Sequence, residues 1–158
     1  MNARHPSAPK ELPSSDGLDR LSVIRSTERS IGLRLLSWSV LSILAGAALL
    51  TGVAGPFGAG IGVQALAWGI IDAAIAGVGL RGSSRGSDDA YIRRARLVRL
   101  LGVNTVLDVL YVAAGIALWR VFPDNAFLSG NGVGIIIQGG FLFVFDLLHM
   151  IGVRSRHL

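Results

Sequence analysis

The sequence contains no cysteine, and charged residues make up only 16% of its 158 positions. Without cysteine the chain forms no disulfide, and thiolate metal sites and cysteine nucleophiles are excluded. Soluble domains usually carry about 25% charged residues. Hydrophobic residues here reach 51%, and the mean hydropathy is +0.57. This composition predicts a polytopic membrane protein.

The N-terminal residues lack an apolar run of the signal-peptide type. Residues 1–17 are rich in Pro, Ser and Ala, and we expect them to form a disordered cytoplasmic tail. In residues 18–32, Leu18, Leu21 and Ile24 recur at helical steps with arginines between them. This pattern predicts an interfacial amphipathic helix that leads into the membrane. Residues 154–158 are expected to form a second cytoplasmic tail.

Two breaks divide the apolar part of the chain. No charged residue occurs between Arg34 and Asp72, a span too long for one membrane crossing of about 20 residues. Pro56 and the glycines of residues 51–60 mark the first break, and Pro123 with its neighbours marks a second turn in residues 120–131. Ser87 is expected to cap the third helix. The sequence therefore predicts an all-α, four-transmembrane-helix bundle over residues 33–153, with helices at about 33–50, 60–80, 88–119 and 132–153.

The basic residues lie almost entirely on one side of these predicted crossings. Every Lys and Arg except Arg120 falls in the N-terminal region up to Arg34, in residues 81–99 or at the C-terminus. The positive-inside rule then places both termini in the cytoplasm and the protein in the cell (inner) membrane. The net charge of +5 is attributed to this topology and to anionic lipids, not to nucleic acid. Four arginines are predicted at headgroup level: Arg93, Arg94, Arg96 and Arg99.

An internal match links the second and fourth predicted helices. Residues 58–77 read GAGIGVQALAWGIIDAAIAG and residues 132–151 read GVGIIIQGGFLFVFDLLHMI. Gly60 aligns with Gly134, Gln64 with Gln138 and Asp72 with Asp146. The first and third helices also resemble each other. We therefore expect a duplicated helical hairpin, helices 1–2 and 3–4, with two parallel halves.

Three aspartates are predicted to share one layer of the bundle. Asp72, Asp108 and Asp146 each lie about eight or nine residues from an arginine at the membrane boundary, roughly 12 to 14 Å into a ~30 Å core. Ser42 has the same predicted depth. At about 100° per residue, the other polar residues of the last three helices fall on the same stripes as the aspartates: Gln64, Asn104, Tyr111, Gln138 and His149.

Three functions fit these stripes. An ionisable residue inside a membrane often marks a function, so the aspartates could bind protons or a cation in a transport-class protein. Since three neighbouring carboxyl groups cannot all ionise cheaply in a medium of low dielectric constant, at least one should be protonated or a cation should lie among them. Alternatively, the polar groups hydrogen-bond between helices in a non-catalytic subunit or assembly factor of a larger complex. A third interpretation is a metal site at Asp146 and His149.

The remaining expectations concern chemistry and partners. No hydrolase nucleophile stands in a recognisable context, so the sequence leans against an enzyme, and we expect no cofactor. The small residues Ala65, Gly69, Ala73 and Gly77 form a stripe that lets another helix approach closely. We expect this stripe to pack inside the bundle; the alternative is that it forms the interface of a homodimer.

The stretches GVQALAWGIIDAAIAG, VNTVLDVLYVAAGIALW and IIIQGGFLFVFDLL resemble those of a family of small four-helix bacterial membrane proteins without an assigned activity. The resemblance covers residues 30–153. It implies the four-helix topology and contributes no chemistry.

Overall fold

Four long helices make up the computed structural model, which describes residues 15–51, 53–85 and 89–155. They are α1 (Ser15–Leu49), α2 (Gly55–Arg85), α3 (Ala90–Val121) and α4 (Ala126–Ser155). All four are long and apolar enough to cross a membrane. The chain is thus an all-α four-helix protein, as predicted. The predicted tail up to residue 14, the cap at Ser87 and residues 156–158 lie outside the described residues.

α1, α2 and α4 begin earlier than the sequence suggested, whereas α3 begins at Ala90, two residues later. The predicted amphipathic segment and first crossing form one continuous α1. In α2, Gly55 has a positive φ of 62° and Pro56 occupies the first turn, where its missing N–H costs nothing. Asn125 caps α4 because its side-chain oxygen accepts from the Leu128 N–H at 3.0 Å. Residues taken as breakers are therefore helix starts.

The start of α3 is fixed by Asp89. Its carboxylate accepts hydrogen bonds from the backbone N–H groups of Tyr91 at 2.8 Å and Ile92 at 3.2 Å. The acidic residue itself therefore caps the helix, two positions after the serine that was expected to do so. At the other end, the Phe122 N–H bonds to the Leu118 carbonyl at 3.3 Å, and Pro123 follows.

The bundle consists of two helical hairpins packed against each other. α1 packs along α2, α3 packs along α4, α2 contacts α4, and α1 contacts α3 over a shorter stretch. At the end where α1 and α3 begin, Leu21 and Ile24 of α1 form an apolar cluster with Ala90 and Val153. We call this the arginine-rich end, because it carries Arg93, Arg94, Arg96, Arg99 and Arg154.

Glycines allow close approach of the helices within and between hairpins. A Cβ at Gly132 would lie 2.7 Å from the Gly115 carbonyl oxygen, so α3 and α4 touch through their backbones. A Cβ at Gly134 would lie 2.7 Å from the Cβ of Gln64 on α2. In the small-residue stripe of α2, Gly69 contacts Ser39 and Ile43 of α1. That glycine is used for packing inside the bundle, as favoured above.

Large apolar side chains cover much of the outside of the bundle. Leu44, Val78 and Leu110 are each at least 60% exposed, and many others of this kind line the helices. The interior instead contains a mixed set of apolar and polar groups, including Ser39, Ser42 and Asp72. A surface of this type is suited to hydrocarbon, where apolar groups need no burial in protein.

Candidate functional site: a group of buried aspartates

Three aspartates from three helices point into the bundle. Asp72 on α2, Asp108 on α3 and Asp146 on α4 are 2%, 4% and 6% exposed. Each of the three pairs is close enough for its carboxylates to interact electrostatically. The structure therefore brings these sequence-predicted residues together in the interior.

The polar surroundings of these carboxylates differ. The Asn104 side chain, one turn before Asp108 on α3, lies near the Asp146 carboxylate and interacts with it. The Oδ2 atoms of Asp72 and Asp108 are buried and accept no hydrogen bond from any residue that the structure describes. A buried acidic oxygen without a donor is costly when charged. These two atoms are suited to carry or receive a proton.

The two predicted glutamines take part in hydrogen bonds between helices. The amide oxygen of Gln138 accepts from Trp38 Nε1 at 3.0 Å, and its nitrogen lies 3.4 Å from Ser42 Oγ, so α4 is joined to α1. Gln64 donates to Asn131 Oδ1 at 2.8 Å and joins α2 to α4. Although the two glutamines align in the internal match, they bind different helices.

Sequence reasoning missed Trp38 and Asn131. Trp38 stacks on Phe141 with ring centroids 3.6 Å apart, which positions its N–H toward Gln138. Asn131 falls in the turn predicted for residues 120–131, but α4 begins at Ala126 and includes it. In the helix it donates to the Phe127 carbonyl, four residues earlier, at 2.8 Å.

His149 has protein partners at both ring nitrogens. Nδ1 lies 2.6 Å from the Phe145 carbonyl oxygen, so Nδ1 carries the proton, and Nε2 accepts from Arg34 Nη1 at 3.3 Å. A metal would have to compete with Arg34 for the single lone pair. Within residues 15–51, 53–85 and 89–155, no three His, Asp or Glu side chains are placed to hold a metal ion together. The geometry gives no support to a metal site at Asp146 and His149.

Tyr111 is the one stripe residue that lies at the outside. It is 39% exposed, and its ring meets the edge of Trp68 with centroids 4.8 Å apart. It follows Asp108 by three residues, which rotates it about 60° from the aspartate. That rotation moves its ring to the gap between α2 and α3.

The four arginines predicted at headgroup level divide into two kinds. Arg93 is 5% exposed; it forms an ion pair with Glu28 of α1 at 2.5 Å and donates to the Ser83 carbonyl. Arg94 donates to the Val153 and Arg154 carbonyls at the end of α4. Both therefore stabilise contacts between helices. Arg96 and Arg99 are exposed.

A cavity of about 510 Å³ leads from the arginine-rich end toward the aspartates. Glu28, Arg93 and Arg96 line one part of it, and Asn104 and Asp146 line another. A shallower depression of about 520 Å³ surrounds Pro123 at the opposite end, away from every buried carboxylate. The first cavity is thus the one related to the buried acids.

The fold and this site define a small all-α protein with four candidate membrane-spanning helices and acidic side chains in its interior. The profile of a family of unknown function (DUF6992) matches residues 34–147. The chain belongs to that family. The matched region includes the three buried aspartates. No curated protein and no solved structure matches the chain.

Proposed function

We propose that the protein is an integral membrane protein of the inner membrane with both termini in the cytoplasm. The apolar outer surface and the four long helices support membrane insertion. The concentration of arginines at one end of the bundle supports the orientation, because basic residues favour the cytoplasmic side. The sequence match also supports a duplicated hairpin, and each half has one close glycine contact, Gly46 with Gly62 and Gly115 with Gly132, although Gly132 corresponds to Gly58 in that match.

We infer that its function is of the transport class, with protons or a cation bound at Asp72, Asp108 and Asp146. The observation that carries this proposal is that the Oδ2 atoms of Asp72 and Asp108 are buried and receive no hydrogen bond from the described residues. Protons are favoured over a metal cation, since no set of three acidic or histidine side chains is placed to ligate a common ion in the described residues. A neutral carboxyl group also avoids the cost of placing like charges together in low dielectric.

Access to the acids is unequal at the two ends of the bundle. The cavity reaches Asp146 from the arginine-rich end. At the other end, the contact of Gly134 with Gln64 and the hydrogen bond from Gln64 to Asn131 close the gap between α2 and α4. Passage of protons to that end would require α2 and α4 to separate near Gln64.

Proton flux into liposomes tests the proposal. Purified protein is reconstituted with a trapped pH dye, and flux is measured for wild type and for Asp72→Asn, Asp108→Asn and Asp146→Asn. Asparagine keeps the size of the side chain but cannot exchange a proton. Asp124→Asn, in the exposed turn before α4, is the matched control. We expect at least a tenfold loss of flux in each interior variant and none in the control.

Two results would overturn this proposal. One is wild-type flux no greater than that of empty liposomes over a range of imposed pH gradients and ion gradients. The other is full flux in all three interior variants. Infrared titration of the carboxyl bands adds an independent check: three aspartates that all ionise like exposed carboxylates would contradict proton binding.

A second candidate function is a structural subunit or assembly factor of a larger membrane complex. The hydrogen bonds of Gln138 to Trp38 and of Gln64 to Asn131 favour it, because they show polar groups used to join helices. In that case the reconstituted wild-type protein should give no proton flux above that of empty liposomes. Purification in mild detergent, followed by identification of co-purifying proteins, would reveal a stable partner.

A further inference from the structure

The cavity is a cleft between two helices that barely contact each other. α2 and α3 both pack against other helices, but they have almost no backbone contact with one another. We call the space between them the α2–α3 cleft. Its walls are mainly aliphatic and include Ile75, Val78, Leu97 and Leu100. Ile75, Val78 and Leu100 are 48%, 70% and 50% exposed, so these walls continue onto the outer surface of the bundle.

The cleft has an apolar body and a positive rim. Among the described residues that line the rim, Glu28 is the one carboxylate, and it lies near three guanidinium groups, those of Arg93, Arg25 and Arg96. Arg93 forms an ion pair with Glu28, whereas Arg96 is exposed. The rim therefore has excess positive charge, with Arg96 available on its surface.

Along α3, the spacing of the residues that line the cleft places a positive charge at one end of the apolar wall. Arg96, Leu100 and Asn104 all line the cleft and follow one another at four-residue steps. They lie along one face of the helix over roughly 12 Å at 1.5 Å per residue. A ligand that fits must have an anionic group at one end and an apolar chain directed into the bundle. A volume of about 510 Å³ falls in the range of about 300 to 1,000 Å³ that ligand sites usually have.

We propose that the α2–α3 cleft binds an acidic membrane lipid, with one acyl chain between α2 and α3 and the lipid phosphate at Arg96. This inference depends on the proposed membrane location and does not depend on proton binding by the aspartates. Arg96 attracts the anionic headgroup, as basic residues near a membrane surface do. The aliphatic walls select for a chain, so a free phosphate should not bind in its place.

Native mass spectrometry in detergent provides the test. The protein is incubated with phosphatidylglycerol or phosphatidylcholine that carry the same acyl chains, and the fraction with bound lipid is measured. Arg96→Gln removes the rim charge, and Arg99→Gln removes an equal charge from an exposed position that does not line the cleft. Gly79→Phe fills the cleft without steric conflict at its Cβ, and Gly140→Phe adds the same ring at an open position elsewhere. Circular dichroism checks that each variant is folded.

The expected pattern is specific to the site. Wild type should bind phosphatidylglycerol about fivefold more tightly than phosphatidylcholine, which corresponds to the ~1 kcal/mol that a basic residue contributes at an anionic surface. Arg96→Gln should lose this preference and Arg99→Gln should keep it. Gly79→Phe should lose both lipids, whereas Gly140→Phe should retain them.

Several outcomes would overturn the inference. These are equal binding of the two lipids by wild type, equal weakening by the two arginine variants, unchanged lipid binding in folded Gly79→Phe, and displacement of the lipid by millimolar inorganic phosphate. Because no proton gradient is present, lipid binding is measured independently of proton flux, and either proposal can fail without the other.

Discussion

Replacing Gly132 by alanine should separate α3 from α4. The added Cβ would lie 2.7 Å from both the Gly115 carbonyl oxygen and the Trp119 nitrogen, and 3.0 Å from the Trp119 Cα. All three are backbone atoms, which cannot rotate away as a side-chain end can. Since ordinary contact begins at 3.4 Å, the two helices would have to move apart locally by about 0.7 Å.

Gly140→Ala is the matched control for this change. A Cβ at Gly140 meets nothing within 4 Å, so this variant gains the helix propensity of alanine, about 1 kcal/mol over glycine, without a clash. Gly132→Ala gains the same amount and loses about 1 to 3 kcal/mol through overpacking. The common gain cancels, and Gly132→Ala should be less stable than Gly140→Ala by about 1 to 3 kcal/mol.

Unfolding in mixed micelles measures this difference. The protein is titrated with a denaturing detergent, and helicity is followed by circular dichroism to obtain the free energy of unfolding of each variant. If Gly132→Ala proves as stable as Gly140→Ala, α3 and α4 are not in backbone contact at this glycine.

Three further predictions test side-chain contacts between helices. In a double-mutant cycle, Glu28→Gln and Arg93→Gln should show a coupling energy above about 1.5 kcal/mol because Arg93 is buried; a coupling under about 0.5 kcal/mol would contradict a structural ion pair. Gln138→Leu should lower the unfolding free energy by about 1 to 2 kcal/mol, since it removes the hydrogen bonds to Trp38 and to α1; unchanged stability would show that these bonds are absent. Arg94→Gln should speed hydrogen exchange in the last turn of α4, whose carbonyls Arg94 binds, with exchange in α3 unchanged; equal exchange at the end of α4 would rule out this capping role.

The sequence was most informative about the number of helices and the direction of their polar faces. Length and apolar composition suffice for four spans, and angular position placed Asp72, Asp108 and Asp146 toward the interior. Helix boundaries were less accurate, because Pro56 and Asn125 can either break a helix or start one, Pro56 in the first turn and Asn125 as the cap, according to the residues that follow. Only the fold decides between these two roles.

Partners between helices could not be predicted in the same way. Periodicity gives the direction of a side chain on its own helix and does not identify the helix that lies opposite. Gln64 and Gln138 align in sequence, yet one binds α4 and the other binds α1. The headgroup role expected for Arg93 likewise took no account of Glu28, which lies far away in sequence and reaches Arg93 only where α1 meets α3.

The contrast between amides and acids bears on the choice between the two proposed functions. An amide both donates and accepts, so Gln64 with Asn131 forms a complete bond between helices without charge. A carboxylate only accepts hydrogen bonds. No described residue donates one to the Oδ2 atoms of Asp72 and Asp108. If these residues served only to join helices, glutamine or asparagine would do so at lower cost in an apolar interior. The property that an aspartate has and an amide lacks is the exchange of a proton, and this favours the transport-class function over a purely structural one.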